Sequence, residues 1–177
     1  SYNGVALLSK HEIEDVTKGL PTIADDQARY IEALVLSEHP IRVGGLYLPN
    51  GNPAPGPKYD YKMEWMDALE QHARNLLKQD EAFVLCGDYN CIPTPEDCWD
   101  ETVWQNDALA LPQTRSEFRK LKYLGLADSF ELTDGRAHQY TFWDYQGGAF
   151  KKDHGIRIDH LLCSPQACDR LQSVEIY

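Results

Sequence analysis

Between residues 83 and 90 the chain reads Phe83-Val84-Leu85-Cys86-Gly87-Asp88-Tyr89-Asn90. An apolar run of this length, stopped by turn chemistry, fits a buried strand. Gly87 lacks a Cβ, so the backbone there can turn or approach a ligand closely. Asp88 and Asn90 follow two residues apart, and period-2 geometry at the mouth of a sheet points both toward one face. A carboxylate and a carboxamide so placed can hold a hard cation, polarise a phosphate or activate water. Taken alone, the same residues also make an Asx-turn that merely closes a strand. Pro93 and Pro95 stiffen the loop beyond.

A length of 177 residues suffices for one domain with a real core. Hydrophobic residues are 42% and charged residues 25%, which excludes a disordered tail. No apolar run approaches the ~20 residues that span a bilayer, and no signal-peptide pattern is present. The expected setting is therefore cytoplasmic, with no membrane partner. Strand character begins almost at once, over residues 3–8, and residues 174–177 read as a strand just started. Both ends thus predict one partial domain over 1–177, cut from something larger. The five cysteines are odd in number and lack the close pairs a zinc site needs, so reduced thiols are expected. Cys86 reads as a small core residue. A net charge of −11 counts against gripping nucleic acid by bulk electrostatics. It leaves room for a nuclease whose local basic groove sits on an otherwise acidic surface.

Residues 30–36 and 41–48 read as strands, and the polar stretch 10–28 reads as loop. Pro49-Asn50-Gly51 ends the second strand with turn chemistry, and residues 50–57 form a Pro- and Gly-rich loop. Met63, Met66, Leu69, Ala73, Leu76 and Leu77 recur at helical spacing. A long connection over 93–112 carries short helical turns. Thr114 with Glu117 predicts a capping box, with Phe118, Leu121 and Leu124 inward and Gly125 at the exit. A turn at Thr133-Asp134-Gly135 precedes a strand over 140–143. Ile156, Ile158 and Leu162 alternate as one further strand, and Ser164-Pro165 caps a helix. Strands that follow one another without helices rule out an all-parallel βαβ order. A mixed or antiparallel sheet covered by helices fits.

Three more places carry candidate chemistry. Tyr47, near a strand end, could donate its phenol to a phosphate oxygen while the Pro49-Asn50-Gly51 loop leaves room for a substrate backbone; the plainer alternative is a half-buried strand tyrosine. Tyr140-Thr141-Phe142-Trp143-Asp144-Tyr145 could stack on bases or wall a sugar pocket, against a core role for Tyr140 and Phe142. In Arg157-Ile158-Asp159-His160, Asp159 could orient a histidine. His160 is a decoy for that role, because neighbours in a strand point to opposite faces. The remaining histidines read as surface or structural, and Pro95-Glu96-Asp97 as a solvated turn.

In order and spacing, Tyr2-Asn3-Gly4-Val5-Ala6, Leu46-Tyr47-Leu48-Pro49-Asn50-Gly51, Gly87-Asp88-Tyr89-Asn90-Cys91-Ile92-Pro93, the Tyr140–Tyr145 cluster and Arg157-Ile158-Asp159-His160 resemble the exonuclease III branch of the endonuclease/exonuclease/phosphatase superfamily. The resemblance runs nearly end to end. Gly-Asp-x-Asn is shared across that superfamily, whereas Leu-Pro-Asn-Gly and Phe-Trp-Asp-Tyr narrow it to the bacterial DNA-repair branch.

The resemblance implies an α/β four-layered sandwich of two mixed sheets with helices outside, here incomplete at both ends. It implies Mg²⁺ or Mn²⁺ as cofactor and double-stranded DNA with abasic sites or 3′ ends as partner. The reactions would be 3′-5′ exonuclease action and incision at abasic sites. By resemblance Asp88 activates or positions the attacking water, Asn90 is its amide partner at the phosphate, and both face the metal. Tyr47 lies near the scissile phosphate, Asn50 and Trp143 bind substrate, and Asp159 hydrogen-bonds a catalytic histidine. That histidine and the main metal-binding glutamate match no residue of this sequence, so these 177 residues are expected to be inactive or crippled. A monomer is expected for the full-length protein, with self-association of the fragment through exposed sheet edges. The competing expectations are a lipid or inositol phosphodiesterase of the same superfamily and a non-catalytic binding module.

Overall fold

A computed structural model describes residues 3–177, so Tyr2 of the first motif lies outside the described residues. Its centre is a six-stranded sheet in the order β1-β2-β3-β4-β8-β5, made of β1 (Glu12–Lys18), β2 (Tyr30–Leu36), β3 (Ile41–Tyr47), β4 (Phe83–Asp88), β5 (Ala127–Asp128) and β8 (Asp159–Cys163). Only β3 and β4 run parallel; the other pairings are antiparallel. A parallel step needs a crossover, and α1 (Pro57–Leu77) supplies it. A second sheet pairs β6 (Phe142–Trp143) with β7 (Gly155–Ile156) and is antiparallel. The fold is thus mixed α/β with a mixed principal sheet and a small second one.

One face of the principal sheet is closed. Tyr30, Leu46, Phe83, Leu85 and Leu162 point into it and meet Trp65, Met66, Leu69, Ala73 and Leu76 of α1 and Phe118 and Leu121 of α3 (Pro112–Tyr123). Each fully buried large apolar side chain here is worth roughly 1.5–3 kcal/mol. The opposite face carries Val43, Val84 and Cys86, all half-buried, with Leu161 42% exposed. Cys86 therefore sits outside the core, because strand alternation sends it away from Phe83 and Leu85.

Several expected elements are displaced. Residues 3–8 and 174–177 carry no strand. The first strand is instead β1, within the stretch expected to be loop. Its residues are almost all exposed and a bulge falls between Glu14 and Thr17, where Asp15 takes φ 52°, so it shows no apolar alternation. The α3 helix begins at Pro112, which puts Thr114 inside it. Its buried hydroxyl donates to the Ala108 carbonyl rather than capping (2.7 Å). A capping box exists at Thr94 and Asp97, on the 3₁₀ turn Pro95–Asp97. The single strand expected over 156–162 is split between the two sheets: Ile156 belongs to β7 and Leu162 to β8. Phe142 is 38% exposed, not core. The short helices α2 (Glu101–Trp104), α4 (Ser129–Thr133), α5 (Ala149–Lys152) and α6 (Pro165–Cys168) complete the chain, with Ser164 capping α6 as expected.

Candidate active site

The strand β3 ends at Tyr47, β4 ends at Asp88 and β8 begins at Asp159. In the ladder Tyr47 pairs with Asp88, and Asp88 pairs with Asp159. Residues paired across strands share a face, so three candidate side chains from distant segments stand in one row. That row continues the open face, two residues beyond Cys86.

Gly87 makes the row possible. It takes φ 141°, and a Cβ there would lie 2.0 Å from the Leu46 carbonyl oxygen. No other residue fits that approach. Beyond it Asn90 takes a left-handed φ of 44°, a conformation asparagine tolerates better than most residues. The Asn90 backbone N–H donates to Asp88 Oδ1 (2.7 Å), and Asn90 Nδ2 donates to the Leu48 carbonyl (2.8 Å) and to Asp88 Oδ2 (3.3 Å). Asn90 Oδ1 accepts from Asn50 Nδ2 (3.2 Å). The amide thus orients the acid, and the two loops behind β3 and β4 are joined by their asparagines.

Burial pushes the Asp88 carboxyl from 3.8 up to about 6; the Asn90 backbone bond opposes this, and the negative charge of Asp159 adds to it. Asp159 is placed from the other sheet, because Thr141 Oγ1 accepts from the N–H groups of Ile158 (3.1 Å) and Asp159 (3.2 Å). The donors gathered here are carboxylate and amide oxygens, which suit a hard divalent cation, and such a cation would relieve the crowded negative charge. Among the described residues no group of three or more His, Cys, Asp or Glu side chains gathers for a metal.

Trp143 stands apart from the row. Its indole donates to Asp153 Oδ1 (3.1 Å) and packs edge-on against Tyr140 and Phe150, in the small sheet. His160 faces inward as expected: it is buried, with Nε2 3.0 Å from the Cys91 carbonyl oxygen and Nδ1 toward Arg157. Asp97 overturns the solvated-turn expectation. It is buried and accepts from Arg157 Nε (2.7 Å), while Arg157 Nη1 donates to Asp128 (2.7 Å).

Two cations escaped the sequence reading. Arg29 is 91% buried, reading 9% exposure, and gives Nε to Gln27 and Nη1 to the Tyr47 carbonyl oxygen (3.0 Å). Its guanidinium lies 5.0 Å from the Tyr47 ring centroid and pairs with no carboxylate within 4 Å among the described residues. With Lys58, Tyr61, Asn50 and Asn52 it lines a groove of about 500 Å³ beside Tyr47. Lys62 of α1 is fully buried and donates to the carbonyl oxygens of Asn50 (3.0 Å) and Asn90 (2.6 Å). Desolvation lowers its pKa to about 8. A lysine within a helical stripe that is apolar apart from His72 was the available signal.

The family model for the endonuclease/exonuclease/phosphatase family matches residues 1–176. Exodeoxyribonuclease III of Haemophilus influenzae is 31% identical over 185 aligned positions, covering 99% of this chain and 69% of its own length. Among solved structures, the 3′-5′ exonuclease NExo of Neisseria meningitidis superposes with a TM-score of 0.88 at 35% identity, covering 93% of this chain and 64% of that one. An AP endonuclease from Archaeoglobus fulgidus gives 0.84 at 30% identity, covering 91% and 62%. The chain spans between about half and about two thirds of the length of the relatives it matches, 69% of the Haemophilus influenzae protein and 54% of a DNA repair nuclease of Danio rerio. Among the described residues no helix is long and apolar enough to cross a membrane.

Proposed function

The chain belongs to the endonuclease/exonuclease/phosphatase family, and from that premise we propose that it carries the site of a DNA-repair nuclease. The reaction is metal-dependent hydrolysis of a phosphodiester, by 3′-5′ exonuclease action and by incision at abasic sites in double-stranded DNA. The observation that carries the reading is the single row of Tyr47, Asp88 and Asp159 across β3, β4 and β8, with Asn50 and Asn90 joined above it.

Asp88 serves as the base toward the attacking water. In the cation-free site burial holds that carboxyl above the ordinary value, which favours proton acceptance. Asn90 fixes both oxygens of that carboxylate, so the water meets a set geometry. The Tyr47 phenol and the Asn50 amide face the phosphate as donors where negative charge builds. Asp159 has its backbone fixed by Thr141, which suits a residue that orients a histidine. Asp88 and Asn90 would hold the cation, Mg²⁺ or Mn²⁺. When bound, it neutralises charge on the phosphate. Trp143 contributes to the sugar pocket from the small sheet.

The groove holding Arg29 and Lys58 answers the objection of net charge. Local cations beside Tyr47 would meet the backbone of the bound strand. The comparison with DNA-acting relatives supports the same substrate. We read the protein as cytoplasmic, its five cysteines being free thiols, and as a monomer at full length.

The test is cleavage of a duplex carrying an abasic analogue by the intact protein with Mg²⁺, beside Asp88→Asn. Strong cleavage abolished by the substitution supports the proposal. Hydrolysis of sphingomyelin or an inositol phosphate, with the duplex left whole, would replace it with the lipid-directed alternative. Robust cleavage by the 177 residues alone would overturn the expectation of a crippled chain.

A further inference from the structure

We propose that Lys62 is a positioning residue of the active site: its ammonium clamps the Asn50 and Asn90 loops together and so holds the two amides that serve the phosphate and Asp88. This rests on the reading of that site given above.

The geometry is specific. Lys62 lies near the start of α1, on the row of buried positions that continues through Trp65, Met66, Leu69 and Leu76. Those four neighbours do packing work, and buried His72 of the same helix is paired with Glu32. A methionine or leucine would fill the space, yet the position holds a group that is costly to desolvate. Its Nζ reaches the carbonyl oxygen of Asn50 in the loop after β3 and that of Asn90 in the loop after β4. No carboxylate lies within ion-pair distance of it among the described residues, so two backbone carbonyls from separate loops are its recorded partners. The stem is as closely fitted as the head: a Cβ at Gly51 would come within 2.6 Å of Lys62 Cδ.

What the clamp holds is a chain of amides. With both main-chain carbonyls fixed, Asn50 Nδ2 meets Asn90 Oδ1, and Asn90 in turn grips both oxygens of Asp88. Asn90 sits in a left-handed conformation that costs free energy even for asparagine, which tolerates it better than most, and the ammonium helps to hold it there. A neutral side chain of the same length would fill the volume and release the loops from each other. Displacement of about 1 Å in a positioned group costs on the order of 10²-fold in rate.

The experiment uses the intact protein with Lys62→Met, Asp88→Asn and Leu76→Ala, assayed on the abasic-analogue duplex 20 °C below each variant's unfolding midpoint. The expected result for Lys62→Met is a kcat lower by ~10–100-fold, with KM within twofold. Leu76→Ala empties core space on the same helix far from the loops, and is expected to lower the midpoint while keeping kcat within twofold. If Asp88→Asn abolishes cleavage while Lys62→Met keeps kcat within twofold, the clamp is overturned and the site stands. If Asp88→Asn retains full activity, the site reading itself falls. If Lys62→Met does not fold, the decision passes to the unaltered chain, using ¹⁵N-labelled lysine and ¹³C-labelled asparagine. Slow exchange at Lys62 Nζ, with hydrogen-bond coupling to both asparagine carbonyls, supports the clamp. A freely rotating ammonium without such coupling overturns it.

Discussion

Two carboxylates at opposite faces of the sheet, half-buried Asp88 and buried Asp128, are displaced in opposite directions. Asp128 stands on β5 and is desolvated, yet His160 and Arg157 beside it drive its pKa far below the ordinary value. Glu32 behaves alike at the other end of the sheet: burial opposes ionisation, and His72, Tyr30 and Arg42 overcome it. Asp88 has a backbone N–H, an amide and the more distant Lys62 charge, with Asp159 working against them, and burial prevails. Where charge serves the fold, it is fully compensated. At the row of Tyr47, Asp88 and Asp159 compensation is left short, which is what a site that must accept a cation and a proton requires.

The largest effect that would break this contrast is on rate. Asp88→Asn is expected to lower cleavage by about 10²–10⁴-fold in the intact protein, measured under single-turnover conditions. Next comes stability at the other carboxylate. Asp128→Ala leaves His160 buried without its acid and Arg157 with Asp97 as its remaining close carboxylate, and should cost roughly 3 kcal/mol, read by urea unfolding. Retention of stability there would dissolve the distinction between the two acids.

A smaller effect sharpens it: Asp88→Asn should stabilise the fold at pH 7.5 by about 1–2 kcal/mol, since it removes a carboxylate held some two units above its usual value. The signs with pH are opposite as well. A raised carboxyl penalises folding above its folded value, so the gap between Asp88→Asn and the unaltered chain should close as pH falls through about 6 toward 4. Glu32 and Asp128, both lowered, give stability that is present above ordinary carboxylate values and lost as pH falls below them. Unfolding midpoints from pH 3 to 8 would read both limbs. The smallest expected effect concerns the groove: Arg29→Gln should weaken duplex binding and reduce the slope of log affinity against log salt by about one.

How much of this the sequence disclosed follows from how locally each feature is encoded. The strands β2, β3 and β4 and the helix α1 announce themselves, because apolar runs and helical spacing are written in neighbouring residues. The β1 edge strand was invisible: neither face is buried, and the bulge at Asp15 breaks what alternation Glu12–Lys18 has. The cap placed at Thr114 failed because Pro112 starts the helix two residues earlier and the hydroxyl is taken by Ala108. Tyr47, Asp88 and Asp159 could be proposed singly from their motifs, but their shared row depends on register, which is a tertiary fact. The partners of Arg157, at Asp97 and Asp128, lie 60 and 29 residues away and leave no local trace.

The backbone around Asp88 separates two kinds of information that the Gly-Asp-x-Asn signature mixes. Gly87 is demanded by the neighbouring chain, and Asn90 is favoured by its left-handed turn, whatever the protein does. Asp88 lies between them without any such steric obligation. A homologue that had lost its chemistry could therefore keep the glycine and the asparagine for shape alone and still match most of the pattern. The identity of the one side chain that geometry leaves unconstrained is the part that reports on catalysis.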